Sequence, residues 1–583
     1  MRRETKMNSI YESIKAATTT GVVAVMFMTT TGGSIAFAED AKKPMPPALK
    51  DSPEAGGCMP VVSKAEALRN AAKSKATKSE ATKSGAFQSA AASKTVTSKE
   101  AASANRSQKK LLAAADESWR AKPPTLPAPK EFKMPEVRTY KLDNGLKVQL
   151  VVDHRFPYIT TFLGMKTGTI ADDPESLGVA DMTADMLKEG TKTLKSKQIA
   201  EEVDFIGGSL NAVSDYDFTI VSSSALSNYT DRMFSILHDV LFNPSFPEDE
   251  LKLKKTNWIQ ELTMKRSNPD YLLEERFRKV VFGKHPYGVV SPTPAMIEKI
   301  TQADLQKFHK ANYIPNDSTL IVLGDIDEKK IDEQIKATFG SWEKGERKAG
   351  ELAEAAVNKE RRVYVVDRPG SVQTALMIGN LGIKKKDPDY FATRVMNQIL
   401  GGSAHSRLFL NIREQKGYTY GAYSSMPARI YPDAFSAGAS VRTEVTAPAV
   451  KEFLFELDRI RDSAVTKEEI DDAKAYLVGQ YQLGLETQAG FAQRLLEVDL
   501  FDMPADYLET FTKKIMAVDA ADIQRAANRV IQSKDLVITA VGDASKIKSG
   551  LETYGKVELY DANGEMTTMA NPTKPADTKT IEQ

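Results

Sequence analysis

The chain has 583 residues, of which 41% are hydrophobic, with 79 Lys+Arg against 78 Asp+Glu and a formal net charge of +1. This length normally corresponds to more than one domain, and the balanced charge excludes a dedicated nucleic-acid-binding protein, which would carry a basic excess. The single cysteine, Cys58, excludes an internal disulfide and cysteine-rich zinc modules. The five histidines lie too far apart in sequence for two of them to hold a metal from one helix.

Residues 1–38 have the pattern of a secretory signal peptide. Basic residues precede the short apolar run Gly21–Met28, and the small-residue stretch Ser34–Ala38 follows it. This order predicts export with cleavage after Ala38, and a periplasmic mature protein if the source is a Gram-negative bacterium. No later stretch reaches about 18 consecutive apolar residues, so we expect no transmembrane segment after signal removal.

Residues 39–136 are predicted to be a disordered tether. The stretch Val62–Ala115 is rich in Ala, Lys and Ser, is net basic and contains one aromatic residue, Phe87. Such a composition buries too little apolar area to offset the entropy lost on ordering. Closely spaced prolines from Pro123 to Pro135 then predict a stiffer, extended connection. The alternative is a basic arm that contacts anionic lipid or an acidic partner.

The remaining chain is predicted to contain one unit twice. Three segments of the first half resemble segments of the second at a nearly constant spacing: 147–153 and 362–367, 173–176 and 387–390, 318–325 and 535–543. The repeats predict an internal duplication. We therefore expect two homologous domains, at 137–345 and 361–559, joined by a charged linker at 346–360 and followed by a flexible tail at 560–583.

The first of these domains is predicted to mix strands and helices. Runs of β-branched residues predict strands at 147–152, 159–163, 219–222 and 318–323, and helical periodicity predicts helices at 178–189, 229–242, 249–266 and 329–339. Strands at both ends of the unit with helices between them indicate an α+β fold. We expect each domain to have an antiparallel-rich sheet with helices packed on one face.

Two stretches carry a resemblance to a known family. The order of elements, the predicted helix 178–191 and the stretch 400–420, which contains Gly401-Gly402, are similar to the insulinase (pitrilysin-type) zinc metallopeptidases. The similarity covers 137–559 and is greatest to the short two-domain branch that includes mitochondrial processing peptidase and bacterial heterodimeric peptidases. The resemblance implies two homologous domains that form one half of a clam-shaped chamber.

The chain departs from this family at the zinc motif. Zinc-binding members carry HxxEH on the first helix, and the three positions here are Asp181, Ala184 and Asp185. Glu261 stands near the place of the third zinc ligand, where it is either a leftover ligand position or a surface carboxylate. We therefore expect this chain to bind no zinc. Asp181, Asp185 and Glu261 could instead hold a hard cation such as calcium or magnesium, and a solvated acidic wall is the simpler reading.

The second half keeps a different part of the family pattern. Arg413 and Tyr420, seven positions apart, match an Arg/Tyr pair that the resemblance places beside the zinc-bound peptide, acting in cis or from a partner subunit. A guanidinium and a phenol suit this role, because both donate hydrogen bonds to a developing oxyanion. Tyr418 is the alternative for the tyrosine. Without the resemblance, these residues are a surface arginine and a strand tyrosine.

A degenerate motif with a retained Arg/Tyr pair predicts a non-zinc subunit of a heterodimeric peptidase. An insulinase-like partner with intact HxxEH would bring the zinc, and this chain would supply Arg413 and Tyr420 in trans for the hydrolysis of unfolded peptides. We expect no cofactor in this chain and no activity from it alone. The alternatives are an inactive scaffold, or an envelope protein that captures extended peptides on a sheet edge.

Overall fold

The computed structural model describes residues 132–347, 352–355 and 360–567. The predicted signal peptide, nearly all of the predicted tether and most of the predicted linker and tail lie outside these ranges. The described residues of both halves belong to one compact unit.

The strands form two sheets, one from each half. The first contains β1 (Arg138–Lys141), β2 (Lys147–Val152), β3 (Tyr158–Met165), β4 (Ser209–Ser214), β5 (Thr219–Leu226) and β6 (Ser318–Gly324). The second contains β7 (Arg362–Asp367), β8 (Gln373–Leu381), β9 (Tyr423–Ser425), β10 (Ala434–Arg442), β11 (Val537–Gly542), β12 (Lys556–Tyr560) and β13 (Met566–Thr567). The strand orders are β1-β2-β6-β3-β5-β4 and β13-β12-β7-β11-β8-β10-β9.

Helices fill the connections of both halves. In the first half they are α1 (Val179–Met186), α2 (Ser196–Phe205), α3 (Thr230–Phe242), α4 (Glu248–Lys265), α5 (Pro269–Phe282), α6 (Pro294–Lys299), α7 (Gln302–Asn312) and α8 (Glu328–Phe339). In the second they are α9 (Tyr390–Gly401), a π-helical segment (Phe409–Gln415), α10 (Thr446–Asp462), α11 (Lys467–Leu485), α12 (Gln488–Leu500), α13 (Tyr507–Ala517), α14 (Ala520–Val530) and α15 (Ala544–Leu551). Within the described ranges, no helix combines the length and apolar character needed to cross a membrane.

The predicted fold class is confirmed: the chain combines helices with two sheets in a two-domain arrangement. Each sheet has the same central order, with β2-β6-β3-β5-β4 repeated as β7-β11-β8-β10-β9. In the first sheet, β6 pairs in parallel with β2 and antiparallel with β3. In the second sheet, β11 likewise pairs in parallel with β7 and antiparallel with β8. Most of the other pairs are antiparallel, as in β3 with β5 and β8 with β10.

The two halves exchange one helix each, which the sequence analysis did not foresee. One face of the first sheet packs on α3 and α8 of its own half, while Phe162 and Ile321 on the other face join a core with α12 of the second half. Conversely, α5 of the first half packs against the second sheet, where Phe277 and Val541 belong to one hydrophobic cluster. Helices of the same half therefore cover one face of each sheet, as expected, and a helix from the other half covers the opposite face.

Glycines allow both exchanged helices to approach closely. A β-carbon at Gly164 of β3 would lie 2.8 Å from a methyl group of Leu496 on α12, and one at Gly379 of β8 would lie 2.9 Å from the ring of Phe277 on α5. The equivalent strands β3 and β8 thus each carry glycine where the helix from the other half crosses them. A side chain at this position would hold the helix away from the sheet.

Both predicted ends of the folded region need correction. Phe132, placed in the tether, lies 6.2 Å from the ring of Phe491, so packing begins before residue 137. The tail predicted from residue 560 contains the last strand, β13, which pairs with β12. Arg276 stabilises this end, because its guanidinium stacks on Tyr560 at 3.5 Å and donates to the Gly564 carbonyl at 2.8 Å. These aromatic and side-chain contacts with distant residues are invisible to a local composition argument.

Candidate functional site

The degenerate zinc motif lies on α1, whose start is fixed by two contacts. The Asp172 carboxylate accepts hydrogen bonds from the Gly178 and Ala180 amides at 2.7 and 2.8 Å, which satisfies free donors of the first turn. Gly178 has φ +95°, and a β-carbon there would lie 2.8 Å from the Trp258 ring of α4. Glycine at this position therefore permits both the left-handed backbone and the contact of α1 with α4.

Asp181, the first motif position, lies in an acidic and largely desolvated environment. Burial is the main cause that raises the pKa of Asp181 to about 7. The nearby carboxylates of Asp172, Asp215 and Asp185 raise it further, and Lys265 partly opposes them. Burial likewise raises the pKa of Asp172 to about 7, although its two amide hydrogen bonds favour the charged form. At neutral pH these two groups are therefore partly protonated.

Ala184, the second motif position, is 1% exposed. Its methyl group can neither accept nor donate a proton, so α1 supplies no general base where the family motif has a glutamate. Thr183 beside it directs its hydroxyl to the Val179 carbonyl at 2.7 Å within the helix. The first turns of α1 are thus organised for packing.

Asp185, the third motif position, is neutralised by lysine. Lys254 of α4 places its Nζ 2.8 Å from Asp185 Oδ2 and 2.9 Å from Glu189 Oε1. Burial alone would lower the pKa of Lys254, but its hydrogen bonds with the two carboxylates raise it above the usual value. The Ser196 hydroxyl also donates to Glu189 at 2.7 Å. The Lys254 ammonium therefore connects α4 with the end of α1, and Glu189 connects this contact with the start of α2.

Glu261 points into solvent. Its side chain is 58% exposed and forms an ion pair of 2.7 Å with Lys265, one turn further along α4. Glu261 is thus a helix-surface carboxylate in this structure. Across the described ranges, no three His, Cys, Asp or Glu side chains are grouped so that they could hold a metal ion.

These residues do not fit a zinc ion. Zinc prefers nitrogen or sulfur ligands, and the motif positions of α1 offer two carboxylates and a methyl group. One of the carboxylates, Asp185, is already paired with Lys254, and Glu261 is paired with Lys265. The structure therefore also gives no support to a hard-cation site formed by Asp181, Asp185 and Glu261.

Arg413 lies on the π-helical segment in a half-exposed position. Its side chain is 42% exposed and contacts Glu414, and its guanidinium lies 4.8 Å from the centre of the Phe409 ring. The ring and the carboxylate hold the guanidinium at the surface without burying it. Single turns of π-helix within longer helices often occur at functional sites.

Tyr420 follows on a loop whose backbone is tied to the same segment. The amides of Gly417, which has φ +62°, and Tyr418 donate to the carbonyls of Arg413 and Ile412, both at 3.0 Å. The Thr419 hydroxyl then donates to the Ser440 carbonyl at 2.7 Å. These contacts fix the loop, yet the Tyr420 side chain itself is 89% exposed.

Tyr418, the alternative tyrosine, is less accessible. It is partly buried and packs against the hydrophobic core of the second half.

The Gly401-Gly402 pair has a packing role, because a β-carbon at Gly401 would lie 2.2 Å from the Ser424 amide nitrogen of β9. It therefore allows α9 and β9 to approach each other before the chain reaches Arg413.

The sequence analysis missed several residues of this region: Asp172, Glu189, Lys254, Trp258 and Asp215. Most of their contacts join positions far apart in the chain, which periodicity cannot reveal. One signal was available, since Asp172 shortly precedes a helix that begins with Gly178 and is therefore a candidate to cap it.

The edge strand β4 lies beside α1 and is open on its outer side. It pairs with β5 on one side and has no strand partner on the other among the described residues. Its side chains alternate between exposed and partly buried. Such an edge presents unpaired backbone donors and acceptors that an extended peptide could bind.

Comparison with known proteins identifies the family of the chain. The family model described as "Insulinase (Peptidase family M16)" matches residues 151–290, and the model described as "Peptidase M16 inactive domain" matches residues 299–477. An uncharacterized zinc protease of Rickettsia bellii is 28% identical over 407 residues, which cover 67% of this chain and 94% of that protein. An uncharacterized zinc protease of Bacillus subtilis is 24% identical over 420 residues, 71% of this chain and 100% of that protein.

Solved structures agree with this assignment. A peptidase M16 inactive domain protein from Pseudomonas fluorescens matches with a TM-score of 0.66 and 26% identity, covering 70% of this chain and 98% of that chain. A protease from Helicobacter pylori has the same fold, with a TM-score of 0.64 and 22% identity over 70% of this chain and 100% of that chain. The chain belongs to the insulinase family of peptidases, family M16.

Proposed function

We propose that this chain is the non-zinc subunit of a two-chain insulinase-family peptidase. In this proposal the chain binds no cofactor, a partner with intact HxxEH holds the zinc, and Arg413 and Tyr420 contact the peptide that the partner cleaves. The observation that carries the proposal is the exposure of the Tyr420 phenol on a loop tied to the segment that bears Arg413. Hydrogen-bond donors positioned against a developing oxyanion stabilise it, and loss of one costs about 3 kcal/mol in the barrier.

The state of α1 supports the same proposal. Ala184 provides no base and Lys254 neutralises Asp185, so the chain needs a partner to hydrolyse a peptide. The family model that matches residues 299–477 is described as an inactive domain. This description is compatible with a chain that leaves zinc binding to a partner. We propose unfolded peptides as the substrates, because a chamber formed by two clam-shaped halves admits extended chains.

The experiment begins with purification from the native host and identification of any stoichiometric companion. With the reconstituted pair, Arg413→Ala and Tyr420→Phe should each lower kcat by about 100-fold without preventing assembly. Arg232→Ala is the matched control, since Arg232 is also 42% exposed, contacts a carboxylate, Glu202, and lies over a ring, Phe205. Unchanged turnover in both site variants would refute the trans-site proposal.

A second candidate function rests on the open edge of β4. Without a zinc-bearing companion, the chain would bind extended peptides along Ser209–Ser214 and leave them intact, or would serve as a scaffold. Peptide binding by the isolated chain, measured by fluorescence anisotropy with no cleavage in the same sample, would favour the capture role. Turnover that appears only with a companion would favour the first proposal.

We further propose that the chain acts outside the cytoplasm, in the periplasm of a Gram-negative cell. The order of charged, apolar and small residues in 1–38 supports this. Mass spectrometry of the protein from its native host should find Glu39 as the first residue. An N-terminus that retains residues 1–38 in a cytoplasmic fraction would contradict it.

A further inference from the structure

The turn of the π-helical segment that carries Arg413 is closed by a hydrogen bond between Lys416 and Asn411. The Lys416 amide donates to the Asn411 carbonyl at 3.0 Å, which joins residues five positions apart instead of the four of an α-helix. Residues 411–416 are called the π turn below. Arg413 lies inside it, so a return to α-helical spacing would rotate the Arg413 side chain about the helix axis.

One carboxylate of α10 contacts both ends of the π turn. Glu452 Oε2 accepts a hydrogen bond from Asn411 Nδ2 at 3.2 Å, and Glu452 Oε1 lies 3.0 Å from Lys416 Nζ. The Glu452 side chain is 15% exposed, so solvent and salt screen the ion pair only in part. The two residues that share the backbone bond of the π turn therefore also share the Glu452 carboxylate through their side chains.

Glu456, one turn further along α10, holds the Asn411 end a second time. Asn411 Nδ2 also donates to Glu456 Oε1, at 2.9 Å. Glu456 is buried, and Arg459 lies 3.2 Å from its other oxygen, so the buried carboxylate is paired with a charge. Glu456 thus fixes one end of the π turn to α10, and Glu452 connects that end with Lys416.

We propose that Glu452 is the positioning residue of Arg413: its two carboxylate oxygens hold the π turn closed and keep the guanidinium on the exposed side of the segment. The inference rests on the proposed function, in which Arg413 contacts the peptide that the partner cleaves. Glu452 acts through Arg413 and not on the peptide. Such a role matters to the rate, because displacement of a reacting or stabilising group by about 1 Å can cost about 100-fold.

The first measurement follows amide hydrogen exchange of the full chain by mass spectrometry, in peptides that span residues 411–421. In Glu452→Lys, two ammonium groups meet at the second end of the π turn, so these amides should exchange several-fold faster than in the wild type. The double variant Glu452→Lys/Lys416→Glu restores opposite charges at this end, while Asn411 keeps Glu456. Its exchange should return to within about twofold of the wild type.

The second measurement uses the reconstituted pair with the zinc-bearing companion. Glu452→Lys should lower kcat by about tenfold and leave KM within about twofold of the wild-type value, because a displaced Arg413 loses a contact made in the transition state. The double variant should recover most of the lost kcat. The unfolding temperature of each variant should lie above the assay temperature, so that unfolded protein does not contribute to the loss.

Asp458→Lys is the matched control, since it makes the same change of charge on the same helix. Asp458 is 48% exposed and pairs with Arg461 at 3.4 Å, outside the π-helical segment. Its exchange in residues 411–421 and its kcat should equal those of the wild type. Glu452→Gln keeps the shape and loses the charge, and it replaces Glu452→Lys if the lysine variant does not fold.

The outcomes separate this inference from the proposed function. If exchange in residues 411–421 is the same in Glu452→Lys and Asp458→Lys, Glu452 does not hold the π turn, whether or not a companion is found. If Arg413→Ala lowers kcat and Glu452→Lys does not, or if the charge-swapped variant recovers nothing, Glu452 does not position Arg413. If exchange responds as expected but Arg413→Ala leaves turnover unchanged, the proposed function fails, and the hold of Glu452 on the π turn stands.

Discussion

The Arg429 guanidinium binds Asp215 across the boundary between the two halves, with Nη1 2.6 Å from Asp215 Oδ2. Its Nε also donates to Asp433, at 2.8 Å, and the Asp433 side chain is only 1% exposed. Arg278 of the first half reaches the same Asp433 at 3.2 Å. Two arginines and two aspartates therefore connect the halves through largely buried charges.

Replacing Arg429 by methionine should lower the free energy of unfolding by about 3 kcal/mol, because Asp433 would remain buried with only Arg278 as a charged partner. Urea denaturation would measure the loss. Arg155→Met is the control, since Arg155 is 64% exposed and pairs with Asp153 of its own half. Equal effects of the two substitutions would show that the connection between the halves adds no more stability than an exposed ion pair.

Asp181→Asn should stabilise the protein in a pH-dependent manner. A carboxyl group whose pKa is raised on folding contributes stability that is fully present below its unfolded pKa, near 4, and is lost as the pH rises through its folded value. For Asp181 that value is about 7, mainly because of burial. We expect the variant to equal the wild type near pH 4 and to exceed it by about 2 kcal/mol at pH 8.

Urea denaturation at a series of pH values would test this. The exposed aspartate of α2, Asp204, provides the control Asp204→Asn, which should show no such trend. Asp172 has a similarly raised pKa, so part of the pH dependence should remain in Asp181→Asn. A stability difference that is constant from pH 4 to pH 8 would contradict the burial of Asp181.

Two tyrosine-to-phenylalanine substitutions should differ in their effect on stability. Tyr420→Phe should leave the unfolding temperature unchanged within about 1 °C, since the side chain is 89% exposed. Tyr287→Phe should cost about 2 kcal/mol, because the buried Tyr287 hydroxyl donates to Asp217 Oδ1 at 2.5 Å. Calorimetry would compare the two, and a large loss from Tyr420→Phe would mean that its role is structural.

The glycines at the helix crossings should differ in their tolerance of alanine. At Gly164 the added carbon would meet the flexible ends of Leu496 and Leu500, so Gly164→Ala should cost about 1–2 kcal/mol. At Gly379 it would also lie 1.9 Å from the Phe435 carbonyl oxygen, which cannot move away. Gly379→Ala should therefore be the more destabilising in urea, and the reverse order would contradict the crossing geometry.

Local patterns in the sequence predicted the local structure well. The helices expected at 229–242 and 249–266 are α3 and α4, because helical periodicity is a property of neighbouring residues. The strand predicted at 147–152 is β2 with the same limits. The ion pair of Glu261 with Lys265 also follows a local rule, one helical turn apart.

Contacts between distant residues could not be predicted in this way. Lys254 meets Asp185 from 69 positions away, and nothing in either segment indicates the other. The raised pKa of Asp181 depends on how deeply α1 is buried and on Asp172 and Asp215 around it. Likewise, the exchange of α5 and α12 depends on which sheet face remains uncovered, a property of the assembled fold.

The exchange of helices also imposes an order on biosynthesis. The ribosome completes the first sheet with β6, at Gly324, well before it makes α12, at Gln488–Leu500. Until α12 emerges, the sheet face that carries Phe162 and Ile321 lacks the helix that covers it in the folded protein. The nascent chain therefore exposes this apolar surface while the ribosome makes most of the second half of the protein. The first half expressed alone should aggregate or require a chaperone.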